Sequence, residues 1–156
     1  MTTPHHTTTA MPAIGEQAPQ FTASAWPQGT VSLAAFAGKK NVVLAFYPKD
    51  DTPGCTTELC SFSDDLGQFQ KFNTEVFGIS CDTVESHASF VQKFSLQQVL
   101  LSDPDGAIAR AYGVARPERA MANRVLFVID KQGIVKHVVE GMPDTKQILE
   151  IIRSLS

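Results

Sequence analysis

The residues best suited to covalent chemistry are three cysteines, at positions 55, 60 and 81. Cys55 and Cys60 close the stretch Pro48-Lys-Asp-Asp-Thr-Pro-Gly-Cys-Thr-Thr-Glu-Leu-Cys60. An odd number of clustered cysteines does not make a secreted disulfide framework, so in a reducing compartment the pair reads as catalytic or metal-binding. A structural zinc site needs four ligands at short spacings, and C-x4-C has neither a second pair nor a nearby histidine to complete the set. Nucleophilic thiol chemistry is the stronger reading. Thr52 suits a helix N-cap and Pro53 the first helical position, which puts Cys55 at the third. Its sulfur then lies beside backbone N–H groups without helical partners, at the positive end of the helix, and this favours the thiolate, the nucleophilic form.

Cys60 follows five residues later. In an intact helix two such Cα atoms lie roughly 8–9 Å apart and their side chains point about 140° apart. A disulfide needs Cα atoms closer than about 7 Å. Residues 55–60 therefore cannot be helical and crosslinked at once; any disulfide between them requires the first turns to unwind, with Leu59 and Phe62 shifting.

The elements that must position these thiols follow from apolar patterning. Asn41-Val-Val-Leu-Ala-Phe-Tyr47 reads as a buried central strand. From Cys55 onward, Leu59, Phe62, Leu66, Phe69 and Phe72 recur at spacings of three and four, one face of a helix about five turns long. Glu75–Cys81 is predicted as a strand, Val84–Phe94 as a helix, Val99–Leu101 as a short strand and Ala107–Tyr112 as a helix. Strands Val125–Ile129 and Ile134–Val139 are joined as a hairpin by Asp-Lys-Gln-Gly, and Asp144–Leu155 is the last helix. Ile14–Ala25 reads as an extended lead-in and Gly29–Leu33 as a short strand. Alternating strands and helices followed by a hairpin predict an α/β fold, a mixed central sheet flanked by helices on both faces. The reactive edge of such a sheet lies at the carboxyl ends of its parallel strands, where the 48–60 stretch leaves the central strand. Residues 1–12, with His5 and His6 among threonines, read as a disordered tail, and residues 13–156 as a single domain.

Composition excludes several classes of partner. The chain has 156 residues, 43% hydrophobic and 19% charged, with a net charge of −3. That balance gives no electrostatic reason to bind nucleic acid or an anionic membrane. No apolar stretch is long enough to span a bilayer, and the N-terminus lacks the pattern of a secretory signal, so the expected location is the cytoplasm.

The assembled residues resemble the peroxiredoxins. Pro48-x-x-x-Thr52-x-x-Cys55 matches that family's active-site motif, and Cys55-Thr-Thr-Glu-Leu-Cys60 is similar to the subgroup called peroxiredoxin Q or bacterioferritin comigratory protein, an atypical 2-Cys type. The resemblance extends through Gly78-Ile-Ser, Asp82-x-Val-Glu-Ser-His87, Leu101-Ser-Asp-Pro-Asp-Gly106, Ala111-Tyr-Gly-Val114 and Arg124-x-x-Phe-x-Ile-Asp130, and covers roughly Ile14 to Ser156. It implies a thioredoxin-like fold and thiol-dependent reduction of hydrogen peroxide or alkyl hydroperoxides, with no haem, metal or flavin. It also implies Cys55 as the peroxidatic nucleophile, Cys60 as the resolving thiol that forms an intramolecular disulfide, Thr52 as a hydroxyl partner, Pro48 as a shield and Arg124 as a cation. A thioredoxin-like dithiol protein would be the reductant, and the expected assembly is a monomer or weak dimer.

Arg124 meets this role if strand 125–129 runs antiparallel to the central strand, for its first residue then reaches the carboxyl edge beside Cys55. Arg116 and Arg119 are alternatives, read as surface charges. Glu58 either orients an arginine or is a solvated helix-face carboxylate. Cys81 is assigned to packing. Two rival functions are a thiol–disulfide oxidoreductase, which would ordinarily carry C-x-x-C, and a redox-sensing or metal-binding module.

Overall fold

The computed structural model describes residues 10–117 and 120–155. The expected roles of His5, His6 and Arg119 lie outside the described residues. Of the residues assigned to the expected tail, Met11 packs against the core and Pro12 is buried, while residues 1–9 lie outside the described residues.

The central strand β3, Asn41–Phe46, is buried at every position, as its unbroken apolar run requires of a strand covered on both faces. Parallel to it lies β4, Thr74–Ser80, followed by β5, Val99–Ser102, parallel to β4. On the other side the hairpin β6–β7, Val125–Ile129 and Val135–Glu140, runs antiparallel to β3. The lead-in differs from expectation. Thr22–Trp26 is a strand, β1, that pairs antiparallel with β5, and β2, Thr30–Ser32, forms the outer edge. Its Thr-Ala-Ser-Ala-Trp sequence does alternate, with Ala23 and Ala25 buried, but small side chains give a weak apolar signal. The described residues form a seven-stranded sheet in the order β2-β1-β5-β4-β3-β6-β7.

The helices are α1, Pro53–Lys71; α2, Val84–Phe94; α3, Ala107–Ala111; and α4, Thr145–Leu155. Strand periodicity decides what each one covers. Val43 and Ala45 of β3 point with Leu126 and Val128 toward Phe62 and Phe69 of α1 and Ile148 and Ile152 of α4. The alternate residues Val42, Leu44 and Phe46 pack with Phe77, Phe127, Ala109 and Tyr112 on the opposite face. Next to the first of these layers, Tyr47, Cys55, Leu59, Phe90, Val91, Leu96 and Leu100 form the cluster in which α1 and α2 meet over β4 and β5. Helices thus lie on both faces.

Gly78 of β4 sits under this last cluster. A Cβ there would lie 2.9 Å from a Leu100 methyl, 3.1 Å from the Tyr47 ring and 3.2 Å from a Leu59 methyl. The absent side chain is the slot into which α1 packs. Gly78→Val should therefore lower unfolding free energy by about 1–3 kcal/mol through overpacking, read as a shift in the urea midpoint; an unchanged midpoint would mean that the slot is not tightly filled.

Candidate active site

At the carboxyl end of β3 the chain turns through Tyr47–Asp51 into α1. Thr52 is the N-cap residue in position, with φ −108° and ψ 152°, and its carbonyl accepts the first helical bond from the Thr56 N–H at 2.8 Å. Its hydroxyl does not cap the helix. It donates instead to the Lys49 carbonyl at 2.8 Å, leaving the Gly54 and Cys55 N–H groups free of that side chain. Cys55 occupies the third helical position, 1% exposed, with its thiol in the apolar cluster described above.

Arg124, the residue before β6, reaches this thiol. The antiparallel register sets Val125 opposite Phe46, so Arg124 lies at the end of β3 where α1 begins. Its Nη2 donates to Cys55 Sγ at 3.4 Å and its Nη1 donates to Glu58 Oε1 at 2.6 Å. The rigid fork of the guanidinium allows both bonds at once. Glu58 is buried, its side chain 1% exposed, and is not the solvated carboxylate that was the alternative. Burial raises its carboxyl from 4.5 to about 7, opposed by the hydrogen bond and charge of Arg124. Its second oxygen, Oε2, has no hydrogen-bond partner. Gly54 makes room for this arrangement: a Cβ on it would come within 2.9 Å of Arg124 Nη2 and 3.8 Å of the Met142 methyl. Arg116 faces elsewhere, donating to Asn123 Oδ1 at 3.2 Å and to Met121 Sδ at 3.2 Å.

Cys60 stands in the continuous helix, five residues from Cys55, and both thiols are free. It is half-buried at the edge of the same cluster, and desolvation together with Asp64 raises its thiol above 9.0. In the folded helix a separation of five residues turns Cys60 away from Cys55. Cys81 follows β4 and is also half-buried; burial, then Asp103 and Asp82, push its thiol to about 11. Pro48, half-buried, begins the turn between β3 and α1.

A buried polar network behind the turn escaped the sequence reading. Asp50, 6% exposed, accepts from the Tyr47 hydroxyl at 2.6 Å and from the Ser86 hydroxyl at 2.8 Å. His87 Nδ1 lies 2.8 Å from Asp50 Oδ2, and His87 Nε2 donates to the Leu101 carbonyl at 2.8 Å. The Asp50 N–H donates to Asp82 Oδ2 at 2.8 Å, and Lys93 bonds the neighbouring Asp51 at 2.9 Å. Asp51 has φ +58°, a left-handed conformation that Asp tolerates better than most residues but that still needs support from its surroundings. Side chains of α2, with Asp82 from the loop before it, thus hold the turn from which Cys55 is presented. The available signal was His87 on the apolar face of α2, in step with Phe90 and Val91.

Among the described residues no group of three or more His, Cys, Asp or Glu side chains could hold a metal ion, and no helix is long and apolar enough to cross a membrane. The site brings together one buried sulfur, one buried carboxyl group and a guanidinium that is 20% exposed, an arrangement suited to nucleophilic attack by sulfur with stabilisation of a departing anion.

Residues 14–138 match the model of the AhpC/TSA family. The chain is 38% identical to a 2-Cys peroxiredoxin BAS1 of Hordeum vulgare, over 93% of this chain and 74% of that one. It is 40% identical to a peroxiredoxin Q of Triticum aestivum, over 90% of this chain and 67% of that one. Among solved structures, the peroxidoxin BcpB of Mycobacterium tuberculosis superposes with a TM-score of 0.86 at 29% identity, covering 93% of this chain and 99% of the other. The fold is accordingly the thioredoxin-like α/β fold expected from sequence. The chain belongs to the AhpC/TSA family and is a peroxiredoxin, a thiol-dependent peroxidase.

Proposed function

We propose that Cys55 is the sulfur that attacks the peroxide and that Cys60 completes the cycle. The observation that carries this reading is the Arg124 Nη2 contact to Cys55 Sγ at 3.4 Å inside a pocket that leaves the thiol 1% exposed. The thiolate attacks one oxygen of hydrogen peroxide or an alkyl hydroperoxide, the O–O bond breaks, and the other oxygen leaves as hydroxide or alkoxide, taking a proton to become water or alcohol. Negative charge that begins on sulfur is passed to the departing oxygen. Arg124 and the free N–H groups at the start of α1 lie where both can be stabilised, and Thr52 and Pro48 hold the turn around them. Exclusion of water strengthens these electrostatic interactions.

Cys55 then carries a sulfenic acid. Cys60 condenses with it, releasing water and forming a disulfide within one chain, and a dithiol protein of the thioredoxin type reduces the disulfide while itself becoming oxidised. Both thiols belong to one helix, so no partner subunit is required for the chemistry; this supports a monomer or weak dimer acting in a reducing, cytoplasmic compartment.

A peroxide-consumption assay tests the assignment. Cys55→Ser should abolish activity. Cys60→Ser should keep one stoichiometric turnover but lose continuous turnover with thioredoxin, and full continuous activity in that variant would remove Cys60 from the cycle. Arg124→Ala should lower kcat/KM for hydrogen peroxide by about 10²–10³, the range found for losing one donor to a developing oxyanion. Arg124→Lys should recover only part of that loss, because an ammonium lacks the fork that reaches sulfur and carboxylate together.

Glu58 yields a separate pH prediction. Its folded value of about 7 lies above its ordinary 4.5, so the neutral acid is the form that folding favours. That contribution to stability is complete below about pH 4.5 and is lost as pH rises through about 7. Glu58→Gln imitates the neutral acid. Its melting temperature, relative to wild type, should climb between about pH 5 and pH 8; a difference independent of pH would show that the buried carboxylate is not strained by ionisation.

A further inference from the structure

The peptide around Cys60 is held by more than the hydrogen-bond ladder of α1. The Leu59 carbonyl accepts an additional bond from Gln98 Nε2 at 3.0 Å, and Gln98 is 2% exposed. Gln98 Oε1 in turn accepts from the Ser63 hydroxyl, whose oxygen accepts from the Gln97 N–H at 2.9 Å. Leu59 and Ser63 are one helical turn apart and enclose Cys60, Ser61 and Phe62. The Leu59 side chain is fully buried and fills the slot left by Gly78. The segment between α2 and β5 therefore grips α1 by a backbone carbonyl and a hydroxyl on either side of the second thiol.

This grip exists only while residues 55–60 are helical. A helical carbonyl points along the axis because its backbone dihedrals are helical, and unwinding as far as Cys60 turns the Leu59 carbonyl away from Gln98. The crosslink demands that unwinding, since Cα atoms about 8–9 Å apart in a helix must approach within about 7 Å. We propose that Gln98 is a positioning residue for the second step of the cycle: through the Leu59 carbonyl it sets the rate at which the start of α1 opens, and thereby divides the Cys55 sulfenic acid between two fates. In the first, the Cys60 sulfur bonds to the Cys55 sulfur, and the sulfenic hydroxyl leaves as water with the proton of Cys60. In the second, a further peroxide transfers one oxygen to the Cys55 sulfur, giving sulfinic acid and water or alcohol. The inference rests on Cys60 as the resolving thiol.

Trp26, the single tryptophan, packs against the cluster that contains Cys55 and Leu59. Its fluorescence in a single-turnover stopped-flow experiment with hydrogen peroxide should show attack and resolution as successive phases. Gln98→Ala is expected to leave the peroxide-dependent first phase unchanged and to speed the second by roughly 5-fold, the factor that corresponds to losing about 1 kcal/mol of hydrogen bonding from the closed state. Sulfinic acid formed per turnover at high peroxide, measured by mass spectrometry, should fall by about the same factor. Ser63→Ala, at a half-buried position that folding tolerates more readily, should shift both readouts in the same direction by a smaller amount. General loosening of the fold would alter the first phase as well, so the split between phases separates positioning from plain destabilisation. An unchanged or slower second phase in both variants overturns the proposal. Cys60→Ser is the control: loss of the second phase supports the resolving role independently, whereas its persistence overturns that role and this inference together.

Discussion

A sulfur held 1% exposed against a guanidinium is the constraint on which the rest of this structure depends. That guanidinium, of Arg124, is itself shared with the buried carboxyl group of Glu58, so three polar groups must be placed within a few ångströms of one another in largely apolar surroundings. Each is costly alone and tolerable only in the presence of the others. The register of β3 against β6 brings the arginine to the right end of the sheet, and the missing side chain of Gly54 lets it approach. The three groups come from two places far apart in the chain, so the site can form only once the sheet has formed.

The turn before α1 and the helix itself meet opposite demands. Tyr47, Ser86 and His87 converge on Asp50, and Lys93 bonds Asp51, so that the entrance to the helix is fixed from within the turn and from α2 together. Farther along, Ser61 bonds Thr145 of α4, and Phe62 and Phe69 are buried against the sheet. Between these two anchorages lies the short helical segment that must open if the thiols are to meet. Rigidity at both ends confines the movement to that segment and to the buried side chain it carries, Leu59.

Much of the architecture was readable because its signals are periodic. β3 is an unbroken apolar run, and α2 spans the residues expected of it, Val84–Phe94. Cys55, the pattern around it and the position of Arg124 at a strand start were also legible, since motif and topology pointed to one edge. What escaped was either weakly patterned or dependent on three-dimensional contact. β1 hides its alternation in alanines and serine, and its place between β2 and β5 follows from long-range pairing. Thr52 is an excellent capping residue by type, yet its hydroxyl turns to the Lys49 carbonyl, a choice made by the local turn. Asp50 and His87 carry no local sign that they face each other, because 37 residues separate them. Glu58 could be assigned to the arginine only when its burial was known.

The near-total enclosure of Cys55 separates two properties that are commonly equated, accessibility and reactivity. Cys55 is 1% exposed and Cys60 half-buried, so covalent footprinting of the closed protein with a bulky alkylating or maleimide reagent would rank Cys60 above Cys55 whatever their order of reactivity toward a small peroxide. When the start of α1 frays, the enclosure is lifted, and modification of Cys55 then counts the openings. The buried thiol is thus a built-in clock for the breathing of its own helix.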